Sequence, residues 1–127
     1  MKPIDQLTPA EIVRELAEEG MGYEGDLLFE GDTCYIPHIC IAKGETSWTT
    51  FRPLTDANGM LMLVEKMRKK GWLWFGQNYE DEADVQHIHR FIGHGTDVVG
   101  AADTPGRAVA LAALKAIRAE KETQHEA

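Results

Sequence analysis

Two cysteines, five histidines and a set of aromatic residues are the side chains of this sequence best suited to chemistry. Cys34, His38 and Cys40 form Cys-x3-His-x-Cys, which offers three soft or borderline zinc ligands close together. His87, His89 or His94 could supply a fourth. The spacing is not a standard zinc pattern, and the plainer reading is two small buried hydrophobes. Nothing nearby marks either thiol as an activated nucleophile. His87 and His89 are two residues apart, so on a strand they share one face. That spacing suits ligand binding ahead of acid–base work, against the plainer reading of exposed strand histidines. Trp48, Trp72, Trp74 and Tyr79, with Arg52 and Arg90, could stack a nucleobase and hold a phosphate, or could simply be sheet core. Gly93-His94-Gly95-Thr96 is rich in glycine, but a phosphate cradle leads into a helix N-terminus. This one lies between expected strands and reads as a hairpin turn. The candidate ligand-binding set is therefore His87, His89, His94, Arg90 and Trp74, and the candidate metal set is Cys34, His38 and Cys40. No GxSxG, Walker A or HExxH motif occurs. The acids Glu80-Asp81-Glu82-Asp84 read as a solvated turn. No catalytic residue is assigned and no cofactor is expected.

The elements that must position these groups follow from periodicity and punctuation. Thr8-Pro9-Ala10-Glu11 is a helix start, with a capping threonine, proline in the first turn and glutamate completing a capping box. Ile12, Val13, Leu16 and Ala17 recur at helical spacing, and Gly20 and Gly22 end the helix. Residues 24–50 read as a loop-rich insertion with one irregular hairpin, and Pro37 argues against a central strand there. Thr55-Asp56 opens a second helix to about Lys70, with Met60, Leu63, Val64 and Met67 as its apolar stripe. Leu61 and Met62 lie off that stripe. Gly71 is its stop, and Lys66, Arg68, Lys69 and Lys70 gather where cations suit the helix dipole. Three strands follow, over 72–79, 85–92 and 96–102, and the short turns between them require antiparallel neighbours. Trp72-Leu73-Trp74-Phe75 puts apolar groups on both faces, which predicts cover on both sides. Thr104-Pro105 opens a last helix with a broad face of small residues, Leu111 falling within its polar face. Residues 119–127 form a tail expected to fray.

The chain has 127 residues, which suits one domain over 1–127. It carries 21 Asp and Glu against 13 Lys and Arg, a balance that disfavours general binding to nucleic acid or anionic lipid while leaving room for a local basic pocket. No apolar run approaches the ~18 residues that suggest a membrane span. The N-terminus lacks an apolar signal core, so the expected location is cytoplasmic, where the cysteines stay reduced.

Three segments together resemble a known pattern. Leu16-Ala17-Glu18-Glu19-Gly20-Met21-Gly22-Tyr23 resembles a stretch of the type AEKVMGW that closes a first helix. Phe51-Arg52-Pro53-Leu54-Thr55-Asp56, followed by Leu63-Val64-Glu65-Lys66-Met67, resembles YSTD…LVEKM. The run from Thr104 to Ala116 resembles TPPLAICLAALKA. In this order they resemble the phage ABA-sandwich domain family, small phage and prophage proteins of unassigned function. The resemblance covers most of the chain outside 24–50. The departures are Tyr23 for Trp, Leu54 for Ser, and Gly106-Arg107 for Pro-Leu. The resemblance implies an antiparallel sheet of three or more strands between helical layers, which agrees with the α+β class read from the elements, and it supplies no catalytic motif.

The function expected from these readings is a non-enzymatic phage accessory protein that binds a host protein, a phage protein or a small molecule, with counter-defence as one form. The alternatives are a small metal- or histidine-dependent hydrolytic enzyme, and an oligomeric structural component contacting through Leu61, Met62 and Leu111.

Overall fold

The computed structural model describes residues 2–40, 43–80 and 85–126. They form an α+β fold with two three-stranded antiparallel sheets and three helices. Helix α1 (Pro9–Glu15) starts on the expected capping box: the Glu11 amide donates to the Thr8 hydroxyl, and the Thr8 amide donates to the Glu11 carboxylate. The helix widens into a π turn over Leu16–Gly20, where the Met21 amide reaches back five residues to the Leu16 carbonyl. Gly20 lets α3 lie close, since a Cβ there would stand 2.8 Å from Ile117 Cδ1 and push that side chain aside.

The first sheet comprises β1 (Leu28–Glu30), β2 (Thr33–Cys40) and β3 (Glu45–Phe51), in that order. Residues 24–50 are therefore more regular than the expected loop-rich insertion. Pro37 is accommodated although β2 is the middle strand. Pairing with β1 spans only Thr33 to Tyr35, so at Pro37 the strand has a partner on the β3 side alone. The amide that proline lacks has no ladder to join there.

Helix α2 (Ala57–Lys69) is capped by Asp56, which accepts from the Asn58 amide. Leu63, Val64 and Met67 of its predicted stripe are buried. The second sheet comprises β4 (Leu73–Glu80), β5 (Val85–Gly93) and β6 (Thr96–Ala102), in that order and antiparallel as predicted. Helix α3 (Pro105–Glu126) lies on β5 and β6. Close approach is possible at Gly100, where a Cβ would collide with the Ala108 carbonyl and the Ala112 amide. Leu111 is half-buried against β6 rather than part of a polar face.

Helix α2 packs beside α3 and touches β4, whereas α1 touches both α3 and the first sheet. The contact order is sheet, α1, α3, sheet. The core lies between them and includes Val13, Leu16, Phe51, Leu63, Trp72, Phe91 and Leu114. Cover on both sides of Trp72–Phe75 was expected, but it is found on one side. Trp72 is buried and Trp74 half-buried, whereas Leu73 and Phe75 are 61% and 54% exposed on the opposite face. Helix α3 continues through the expected tail to Glu126, and at the start of that tail Glu120 and Lys121 contact Trp72 and Glu19.

Candidate functional site

A cleft of about 550 Å³ opens where the end of α2, the β5–β6 turn and the second half of α3 converge. Its construction begins at the end of α2. The Trp72 amide donates to the Met67 carbonyl and the Gly71 amide to the Arg68 carbonyl, with Gly71 at φ 99°. This is the Schellman pattern, which reverses the chain and buries Trp72 against Met67. The Trp72 indole donates to Glu120 Oε1 at 2.5 Å. His94 meets the Trp72 ring edge-on, with centroids 5.2 Å apart.

His94 and Gly95 take φ 50° and φ 73° in the two-residue loop joining β5 to β6. The pattern is that of a type I′ turn, and the predicted hairpin turn is therefore present. His94 is the described non-glycine residue with positive φ, a backbone state that costs roughly 1–2 kcal/mol for an L-residue. It is held there by a 2.8 Å hydrogen bond between Nε2 and the Lys70 carbonyl. A carbonyl can only accept, so Nε2 carries the proton and Nδ1 is left as an acceptor.

The charges around the cleft are unequally engaged. Lys121 pairs with Glu19 at 3.0 Å, and Glu120 is bound to the Trp72 indole. Among the described residues, Lys70 has no carboxylate partner. Thr96 and Thr123 add hydroxyls to the lining. The donors this arrangement offers a guest are the Lys70 ammonium and the Thr96 hydroxyl, because His94 Nε2 donates to the Lys70 carbonyl and the Thr123 hydroxyl to the Ala119 carbonyl; His94 Nδ1 is open to accept from a guest that carries a proton. The sequence reading found His94 and Trp72. It missed Glu120 and Lys121 because the tail was expected to fray, and Lys70 because it read as a helix-end cation.

The other candidate residues occupy separate places. Trp74 and His89 are together: the Trp74 indole donates to His89 Nδ1 at 3.0 Å, with the rings nearly parallel. His89 is 6% exposed, and its Nε2 has no hydrogen-bond partner among the described residues. Burial, and then the neighbouring His87, push its pKa down. The ring leans over Gly76, where a Cβ would stand 2.8 Å from Cε1. His87 shares this face, as its spacing predicts. Arg90 lies on the opposite face, in an ion pair with Asp97 at 3.1 Å, and His94 belongs to the cleft.

Cys34 and His38 do not converge. Four residues of extended strand separate them by about 13 Å. Cys34 is fully buried opposite Phe51, and burial pushes its thiol pKa up. His38 is exposed and bonded to the Thr49 hydroxyl at 2.7 Å. The Cys40 side chain lies outside the described residues, as do the Tyr79 side chain and the acid run over 81–84. Among the described residues, no three His, Cys, Asp or Glu side chains are grouped to hold a metal. Trp48 is on β3 of the first sheet, whereas Trp74 is on β4 of the second and Trp72 immediately precedes that strand. Among the described residues, no helix is long and apolar enough to cross a membrane.

No family model matches the sequence, and no curated protein matches it either. Among solved structures the chain is similar to a phage protein from Bacillus cereus ATCC 14579, with a TM-score of 0.60 and 16% identity. The alignment covers 88% of this chain and 89% of the other. At that identity the likeness lies in the fold, which the two chains share over nearly their whole lengths.

Proposed function

We propose that this chain is a binding protein of phage or prophage origin that takes a small anionic ligand in the cleft beside Trp72. The observation that carries the reading is His94, fixed in a left-handed turn on the Lys70 carbonyl at the rim of the cleft. Strained backbone is retained where surrounding contacts hold it, and such places cluster at ligand sites. The unpaired Lys70 ammonium sits at the end of a basic turn in an otherwise acidic chain, and the lining balances Glu19 and Glu120 with Lys70 and Lys121, so an anion is repelled less here than over the rest of the surface. The motif resemblance and the shared fold with a phage protein support the origin. Sequestration of a nucleotide signal, and hence counter-defence, is the biological form that suits such a cleft.

Calorimetry of the untagged full chain against nucleoside di- and triphosphates, cyclic dinucleotides and inorganic phosphate tests the proposal. Saturable binding to one class is expected. His94→Asn keeps a residue that tolerates positive φ and removes the ring, so it should weaken binding about tenfold, roughly 1.4 kcal/mol, with the fold unchanged by circular dichroism. Lys70→Ala should do the same. Silence across the panel, beside a working positive control, removes the anionic-ligand reading.

A further inference from the structure

The outer face of the β4–β6 sheet has a composition poorly suited to water. Leu73 and Phe75 are more than half exposed on β4. Ile88 and Ile92 on β5 and Val99 on β6 are half-buried, and Ala101 is exposed. Cross-strand register sets them in three rows, Leu73–Ile92–Asp97, Phe75–Arg90–Val99 and Gln77–Ile88–Ala101. Contiguous apolar surface of this kind marks an interaction site.

We infer that this face is where two copies of the chain meet, sheet against sheet about a twofold axis. Charge selects the occupant. Each copy carries a formal charge of −8, so most surfaces of two copies repel each other. On this face the described charges are one cation and one anion, Arg90 and Asp97, paired at 3.1 Å and about half exposed. An isologous contact sets a patch against itself, so Arg90 of each copy comes within reach of the second copy's Asp97. The patch is thus neutral, mainly apolar and complementary to itself.

Growth of the sheet through its β6 edge is opposed, because the Lys115 ammonium occupies the Val99 carbonyl at 2.6 Å and a lysine guards that edge. Face-to-face packing needs no edge and sets the two sheets ~10 Å apart. Three strands at ~4.8 Å spacing and seven residues at ~3.4 Å give a face of roughly 14 by 24 Å. That is less than half the ~800 Å² per partner of a standard interface, so the dimer is a weak and reversible one. The inference does not depend on the anionic cleft, which lies elsewhere.

Sedimentation of the full chain from about 1 to 500 µM tests it, a range that spans micromolar association. A reversible monomer–dimer equilibrium is expected. Leu73→Ser with Phe75→Ser should weaken it at least about tenfold, since buried apolar anchors dominate such contacts, with an unchanged melting temperature because both side chains are exposed in the monomer. Arg90→Glu should weaken it by setting acid against acid, and adding Asp97→Arg should restore it. A chain that stays monomeric throughout overturns the inference and leaves the face to a different partner. A dimer that survives both the Leu73/Phe75 variant and Arg90→Glu also overturns it, because the contact then lies on another surface.

Discussion

At His89 the Trp74 indole N–H occupies Nδ1, so the single ring proton sits on Nε2 and burial disfavours a second. The unfolded chain takes up that second proton near the ordinary value of 6.5, and the folded chain only at lower pH. The unfolded state therefore binds more protons in the interval between. His89 contributes stability that is present above about pH 6.5 and is lost as pH falls through its lower folded value. Urea unfolding between about pH 7.5 and pH 5 should show stability falling with acid, and His89→Gln should flatten that slope. The two-residue spacing made the His87 and His89 face legible, because alternation is a property of any strand. Their neighbours were not legible, since nothing in the sequence indicates that Gly76 leaves room for an imidazole or that Trp74 turns its N–H toward it. The Cys34–His38 pairing fails for the converse reason. A spacing that looks compact along the sequence becomes about 13 Å once the segment is extended.

Elements were most readable where local chemistry decides them. The Thr8 capping box, the Asp56 cap and the Gly71 stop rest on contacts within a few residues, and the His94-Gly95 turn is marked by its glycines although the Lys70 carbonyl that holds His94 is distant in sequence. The first sheet was read too loosely, because Pro37 excludes a ladder on one side of a strand and leaves the other side usable. The α3 tail was read as fraying because its stability comes from Trp72 and Glu19, both distant in sequence. How closely α3 approaches β6 is likewise a tertiary property, expressed at Gly100. Gly100→Ala should push the helix away from the sheet and cost about 1–3 kcal/mol by overpacking, read as a lower urea midpoint. Ala101→Ser, one residue on and facing out, should leave the midpoint nearly unchanged.

In the whole molecule, the first and last helices are fastened to each other by Arg118. Its guanidinium grips the Glu15 carboxylate with two hydrogen bonds of 2.8 and 2.9 Å and donates a third to the Lys2 carbonyl. Both side chains of the Arg118–Glu15 pair are less than one fifth exposed. Glu15→Ala should cost roughly 1–3 kcal/mol, because it leaves a largely buried cation without its partner, and the loss should appear in thermal melts. The pair joins residues 103 positions apart, which matters for a chain made from one end. At roughly 5–20 residues per second, the ribosome delivers Arg118 some 5–20 s after Glu15. Throughout that interval the first sheet can cover only its own side of α1, and the side that packs on α3 waits for that helix. Synthesis therefore leaves part of the Ile12, Val13 and Leu16 cluster open to chaperones until the last element emerges, and a chain truncated before Arg118 should be cleared rather than stored.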